Sequence, residues 1–462
     1  MKEDHFQDMR LKIRQLDLLN GFDLTESATY LNSLPNEVFS SYVLANKISS
    51  GPLLQPRGGF ARFEDQRELT DLFNRAGSDF IPLTIDSHTR QNDYERAKYL
   101  LNQSEESGLN LLNGYPLIAH GAATTRLLFK DILRPISLRH GTPDARLLVE
   151  VALDAGITEI EGGGLCYCLP YSRSYPIDRA LLNWQYVDKL CAKLSNCDRP
   201  IHRESFGALT ATMVPPFMVV VVQILELLLA AEQGVSSFSV SFSQSGSMKQ
   251  DIATAKAMRE ISNYYLKKIG WNTKVYLVFH QWMGAFPKER ELADALIVNG
   301  ATISALCNAD KVVIKTRNEA LGIPDAQSNV DAVRTTRYAI SLCLGSTDLI
   351  DKDISEEADA ICSAAKSIID EILNYDAPLW EQVAWAVRIG IIDIPFSPHQ
   401  QNPNKIWTKR DKNRAIRVSD PGLVPLPKEF IKREQNLLGD SPSDSIIDSS
   451  LQDILVMLKN TS

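Results

Sequence analysis

The residues of this chain best placed to do chemistry are three arginines, one glutamate and one lysine–glutamate pair. Arg57 sits in QPRGG, Arg90 in DSHTRQN and Arg139 in LRHGTPD, each beside a strand end or a glycine turn. One such arginine alone reads as a surface ion pair. Three at one rim would repel one another unless anions lay between them. Arginine's planar fork grips carboxylates through two parallel bonds, which lysine's point charge does not. The chemistry implied is recognition of a small substrate with more than one carboxylate. Glu161, which leads EGGG, brings the opposite charge. It reads either as a salt bridge to one of those arginines, or as an acceptor for a substrate ammonium or a general base. The glycines after it let backbone approach a ligand closely. Tyr167 and Tyr171 follow on the same loop, with core packing as the alternative for both.

Further along, HQWMGAFP (280–287) brings His280, Trp282, Met283 and Phe286 to one strand end. This is either packed core or an aromatic rim suited to a flat ligand. Lys315 and Glu319 in KVVIKTRNEALGIP read as an i,i+4 helix pair or as a pair gripping sugar hydroxyls. The sequence contains no dinucleotide GxGxxG and no P-loop, and no metal cluster or Ser-His-Asp arrangement stands out.

These residues need a frame, and the sequence has one. Eight segments begin as a β-branched or apolar run, end on a polar residue and precede a helix-length pattern. They are 80–90, 111–120, 135–141, 157–164, 200–207, 236–244, 274–282 and 309–316. Eight strand–helix units predict a (β/α)₈ TIM barrel, in which chemistry sits at the C-terminal strand ends. Arg90, Arg139, Glu161, Glu204, His280 and Lys315 all fall there. The intervening helices are expected at 93–107, 123–133, 142–156, 176–194, 249–270, 288–307 and 329–345. Thr142 should cap the third of these, with Pro143 in its first turn. Residues 1–56 read as an N-terminal helical segment with Leu16, Leu18, Leu19 and Phe22 as packing points, 57–345 as the barrel, and 346–462 as a C-terminal helical and irregular extension. This extension, which ends in the amphipathic SIIDSSLQDILVMLK (445–459), is expected to pack on the barrel and is a candidate for self-association.

Composition narrows the class. The 462 residues are 44% hydrophobic and 23% charged, with a formal net charge of −8. That balance argues against a nucleic-acid or membrane-surface partner. Seven cysteines without a CxxC pair fit a reducing cytoplasm, and MKEDHFQDMRLK lacks the apolar centre of a signal peptide. PPFMVVVVQILELLLAAEQG (215–234) is apolar enough to raise a membrane span, but Gln223 and Glu226 interrupt it, so it is expected as a deeply buried helix.

The ordered set RHGTPDARLL, EGGG, NWQYVDKL, RESFGALTATMVPP, AAEQGV, VFHQWMGAFP and KVVIKTRNEALGIP resembles the large (epsilon) catalytic subunit of glutamate mutase, also called methylaspartate mutase. The resemblance runs from about Gln55 to Ser397. It implies an adenosylcobalamin-dependent radical isomerase that converts (S)-glutamate to (2S,3S)-3-methylaspartate, with fragmentation to acrylate and a glycyl radical between them. It also implies a homodimer of this chain that recruits two cobalamin-binding small (sigma) subunits, a heterotetramer. The B12-binding DxHxxG motif is missing here, since Asp86-Ser87-His88 is followed by Gln91 in the glycine position.

By the same resemblance Arg57, Arg90 and Arg139 hold the substrate carboxylates, His140 is a further contact, Glu161 meets the amino group as the catalytic acid or base, and Tyr167 and Tyr171 face the substrate. Gly59, Asn113, Pro170, Phe286, Lys315, Glu319 and Ile323 fall on positions that touch the cobalamin or its adenosyl group. The chain departs from the family pattern at Arg317-Asn318 (usually Pro-His), at Cys168 (often Asn), in FGALTAT and in SVSFSQSG. None of these touches the arginine clamp. The alternatives are a paralogous cobalamin mutase for a related amino dicarboxylate in secondary metabolism, a non-catalytic dicarboxylate-binding barrel, and a cofactor-free lyase or aldolase.

Overall fold

The computed structural model describes residues 1–14, 23–47, 51–207, 213–320, 325–343 and 351–439. The expected packing points Leu16, Leu18, Leu19 and Phe22, the 445–459 segment and Ile323 lie outside them.

Eight parallel strands form the barrel: β1 Leu53–Gln55, β2 Ile81–Thr84, β3 Ile136–Arg139, β4 Glu159–Glu161, β5 His202–Glu204, β6 Ser237–Ser243, β7 Lys274–His280 and β8 Lys311–Val313. Their order is β1-β8-β7-β6-β5-β4-β3-β2. The seam between β1 and β2 is bridged by the Asp79 and Phe80 N–H groups, which donate to Leu54 O at 3.0 and 3.1 Å, and by Thr84 N–H to Gly58 O at 3.1 Å.

Two assignments differ from the sequence reading. Residues 111–120 are not a barrel strand: Tyr115 makes one parallel bridge to Ile85, and a helix begins at Leu117 just after Pro116. The eighth strand is β1, which lies in the segment expected to be helical. Its three residues sit between Pro52 and Pro56, too short a run to show a period. Thr142 is also not the helix cap. The helix runs Arg146–Asp154 with Ala145 at its N-cap, and Thr142 instead closes a tight turn by accepting from Asp144 N–H at 3.2 Å.

The other helices fall close to expectation, including Tyr94–Ser107, Ile177–Leu194, Met248–Ile269, Arg290–Leu306 and Ala326–Ser341. Pro216–Glu232 is buried along nearly its whole length. Among the described residues no helix is long and apolar enough to cross a membrane.

The C-terminal stretch packs against this frame. Helix Lys352–Leu373 lies along Met248–Ile269, and a hairpin of Trp407–Arg410 and Ile416–Asp420 follows. Arg417 ties these parts together through Glu357, Asp411 and Glu434. The irregular residues between helix and hairpin brace the loop after β4: Ser397 Oγ donates to Leu169 O at 2.7 Å, and a ring nitrogen of His399 lies 2.8 Å from Tyr175 O.

Candidate active site

Strand alternation puts every second side chain inside the barrel. On β3, β4, β5 and β8 those residues are Ser137 and Arg139, Glu159 and Glu161, His202 and Glu204, and Lys311. They form a layered polar interior in place of the usual branched aliphatics. At the base, the His202 ring nitrogens each sit 2.8 Å from a serine hydroxyl of β6, Ser237 and Ser239. Above it, Lys311 Nζ lies 2.6 Å from Glu159 Oε1 and 2.5 Å from Glu204 Oε2, all three fully buried. Ser137 Oγ donates to the same Glu159 oxygen and accepts from Gln55 Nε2 at 3.2 Å.

The top layer carries the predicted acid and one predicted arginine. Arg139 donates through Nη2 to Glu161 and through Nη1 to Glu204 Oε1 at 3.2 Å. Burial weakens its hold on its proton, but the two carboxylates outweigh that and raise it above its ordinary range. The other Glu161 oxygen accepts from Tyr167 Oη at 2.5 Å. Burial pushes the Glu161 carboxyl up to about 7, with Glu204 adding to the rise and Arg139 opposing it. The acid beneath the cavity thus sits where it can hold or release a proton near neutral pH.

Above this layer opens a cavity of about 490 Å³, lined by Arg57, Arg90, Arg139, His140, Glu161, Tyr171 and Phe206 among others. Arg57 and Arg90 differ from Arg139: among the described residues neither has a carboxylate within ion-pair distance. Arg90 is held by one bond, from Nε to Ile85 O at 2.5 Å, and burial lowers it below its ordinary range. Two guanidiniums without counter-ions on a cavity wall are what an incoming dianion would neutralise. His140 is buried and stacks on Trp184, its ring kept neutral by burial and then by the Arg90 and Arg203 charges. Tyr171 stands half exposed at the mouth, while Tyr167 is buried behind Glu161.

The loop after β4 is fixed from below. Glu226, one of the two polar breaks in the apolar helix, accepts from Leu165 N–H at 2.7 Å and Cys166 N–H at 2.9 Å. A Cβ on Gly163 would stand 2.3 Å from the Glu226 carboxyl and displace it, and Gly162 has φ +123°, a conformation that favours glycine. Arg203 anchors the same turn, donating to Ile160 O at 2.6 Å and Gly162 O at 3.0 Å while paired with Asp188.

Of the residues expected at the cofactor, Lys315 and Glu319 follow the end of β8. Lys315 Nζ is 2.5 Å from Glu319 Oε2. Burial, and then the Arg57 charge, push this lysine down to about 8 despite Glu319. A donor and an acceptor side by side, with the buried Thr316 hydroxyl unpartnered next to them, suit vicinal hydroxyls of a ribose. Gly59 is buried where a Cβ would stand 2.3 Å from Thr84 O, so only its backbone can meet a ligand. Asn113 accepts from Ser87 N–H at 2.9 Å and Pro170 lies in the helical turn Cys168–Tyr171. Phe286 packs with Trp282, Ala293 and Ile297 in a cluster of its own and does not line the arginine cavity.

Comparison with known proteins settles the family. The family model described as Methylaspartate mutase E chain (MutE) matches residues 34–444. The chain belongs to that family. The glutamate mutase epsilon subunit of Treponema denticola is 37% identical over 434 residues, 93% of this chain and 90% of its own. That of Yersinia enterocolitica is 37% identical over 390 residues, 84% of this chain and 81% of its own. The protein from Haloarcula marismortui with the same name is 35% identical over 420 residues, 90% and 85% respectively. Membership makes this chain a mutase subunit, of the isomerase class.

Within this mutase subunit, sequence reasoning missed Glu159 and Lys311 and treated Glu226 only as an interruption. The signal for the first two was present. ITEIE places charge on alternate residues of a buried strand, and HRE and DKVVIK put further charges of both signs into two others, which is tolerable only if opposite charges meet inside.

Proposed function

We propose that this chain is the catalytic subunit of an adenosylcobalamin-dependent carbon-skeleton mutase that converts (S)-glutamate to (2S,3S)-3-methylaspartate. It would work with a separate cobalamin-binding small (sigma) subunit, as a homodimer that recruits two such chains. The observation that carries the reading is the charge pattern of the cavity. Two unpaired guanidiniums, Arg57 and Arg90, face Glu161, which is held by Arg139 and Tyr167. Two carboxylates and one ammonium are the complement of that pattern, and the cavity volume of about 490 Å³ lies in the range of small-molecule sites.

Each residue then has a task. Arg57 and Arg90 take the substrate carboxylates by their forks, and Arg139 adds the edge of its guanidinium from the floor. Glu161 meets the ammonium and, with its carboxyl near 7, can accept a proton from the substrate nitrogen and return it. Tyr167 orients Glu161, and Tyr171 with Phe206 covers the mouth against water. Lys315 and Glu319 would hold the ribose of the cofactor, with Gly59, Asn113 and Pro170 on the rim around it. When bound, adenosylcobalamin supplies a carbon-centred radical able to take a hydrogen atom from an unactivated C–H bond.

The test is reconstitution. This chain is mixed with a cobalamin-binding small subunit, adenosylcobalamin and (S)-glutamate and followed by proton NMR. A new methyl doublet from 3-methylaspartate that requires both proteins is the expected result. No product from a mixture whose small subunit works with another large subunit would refute the reading.

A further inference from the structure

His280 ends β7 with 1% of its surface exposed, and neither ring nitrogen has a hydrogen-bond partner. Leaving a buried imidazole unbonded is costly, so such a group calls for a partner. One of its nitrogens and one carboxylate oxygen from each of Glu161 and Glu204 lie within 4.8 Å of one another. Three such points always share a location within about 2.8 Å of each, which is hydrogen-bonding distance for an N–H donor.

All three are acceptors. The carboxylates accept by nature, and burial, then the Arg139 and Arg57 charges, hold the His280 ring well below its ordinary range, so it is neutral and has one bare nitrogen. The charge count agrees. Among the described residues the ion pairs of Glu159, Glu161 and Glu204 are with Arg139 and Lys311, three acids against two cations. One further positive charge balances the set, whereas a divalent metal would overshoot it beside two fixed cations.

We propose that His280, Glu161 and Glu204 form the seat of the substrate ammonium, three acceptors for three N–H donors, and that this tripod selects a primary ammonium over a deaminated dicarboxylate. The proposal rests on the amino-dicarboxylate reading above and adds two residues that reading does not use.

The test is calorimetric titration of the full chain, alone and together with the cobalamin-loaded small subunit, with (S)-glutamate and with glutarate, which keeps both carboxylates and lacks the ammonium. Wild type should prefer glutamate. In His280→Phe glutamate should bind about tenfold more weakly or worse, with glutarate unchanged. His280→Gln, which keeps an acceptor, should lose less, and circular dichroism checks that both variants fold. His280→Phe with wild-type glutamate affinity, or with equal losses for both ligands, overturns the seat. So does a Zn²⁺ site, one per chain, that His280→Phe removes while glutamate binding stays intact. A wild type that binds neither dicarboxylate refutes the amino-dicarboxylate reading itself, and the seat falls with it.

Discussion

Lys311 is the residue through which the polar interior can be tested most directly. Its ammonium lies between Glu159 and Glu204 at 2.6 and 2.5 Å, and none of the three is exposed. Lys311→Met keeps most of the stem volume and removes the charge. The interior then holds three carboxylates against Arg139 alone. Removing one partner of a buried ion pair costs about 3–5 kcal/mol, because the other charge is left without compensation. Unfolding entropy is about 2 cal/mol/K per residue, so for a chain of 462 residues it approaches about 1 kcal/mol/K. Each kcal/mol then lowers Tm by about 1 °C, and the expected drop is about 3–5 °C.

The assay is differential scanning calorimetry at one fixed scan rate, since a chain of this size need not unfold reversibly. The decisive comparison is the double variant Lys311→Met with Glu159→Gln. It neutralises the stranded acid that has no other cation, while Glu204 keeps Arg139 at 3.2 Å. About half of the lost Tm should return. A single variant that melts within about 1 °C of wild type, or a double variant no better than the single, would refute the view that Lys311 compensates these carboxylates.

Three further outcomes follow from the same geometry. Arg139→Lys keeps the charge but cannot reach Glu161 and Glu204 together, so turnover in the reconstituted assay should fall about 10- to 100-fold; a wild-type rate would sink the fork assignment. Gly163→Ala places a Cβ 2.3 Å from the Glu226 carboxyl and should destabilise by about 1–3 kcal/mol while raising KM, read by melting and steady-state kinetics; an unchanged Tm would mean the loop is not pinned there. Glu226 is pushed up to about 7, chiefly by burial, so its neutral form favours the fold, a contribution present at low pH and lost as pH rises through about 7. Glu226→Gln stays neutral and keeps the oxygen that both loop N–H groups use, so its stability relative to wild type should climb by about 3 kcal/mol from pH 4.5 to pH 8 and then level; parallel stability curves would contradict the shift.

What the sequence made legible was the rim. Arg57, Arg90, Arg139, His140, Glu161 and Tyr171 line one cavity, because in a parallel barrel every strand delivers its last residues to the same end. The strand count was correct for a partly wrong reason. LLQ of β1 is three residues between prolines and gives no period to read, while LLNGYPLIAH has the apolar look of a strand but turns helical once Pro116 fixes its backbone. Arg139 was grouped with two other arginines by residue type. Its difference from them, a fork already closed on two acids, depends on which residues of β4 and β5 stand beside it, and pairing across strands is not written in any one segment.

The apolar helix Pro216–Glu232 carries the same lesson further. Its two polar residues first served to argue against a membrane span, as breaks in a hydrophobic run. In the fold they hold the rim. Gln223 accepts from Ser241 N–H at 2.7 Å, bonds the Ser205 hydroxyl and donates to Phe206 O at 3.0 Å, so it fixes the ends of β5 and β6. Glu226, nearly one turn on, caps the loop that carries Tyr167 and Tyr171. A polar group survives in so buried a helix only if it is bonded, and the groups in need of bonds beside a barrel are the loop amides past the strand ends. Such interruptions therefore point to the loops that must be held still for chemistry, and here those are the loops of the arginine cavity.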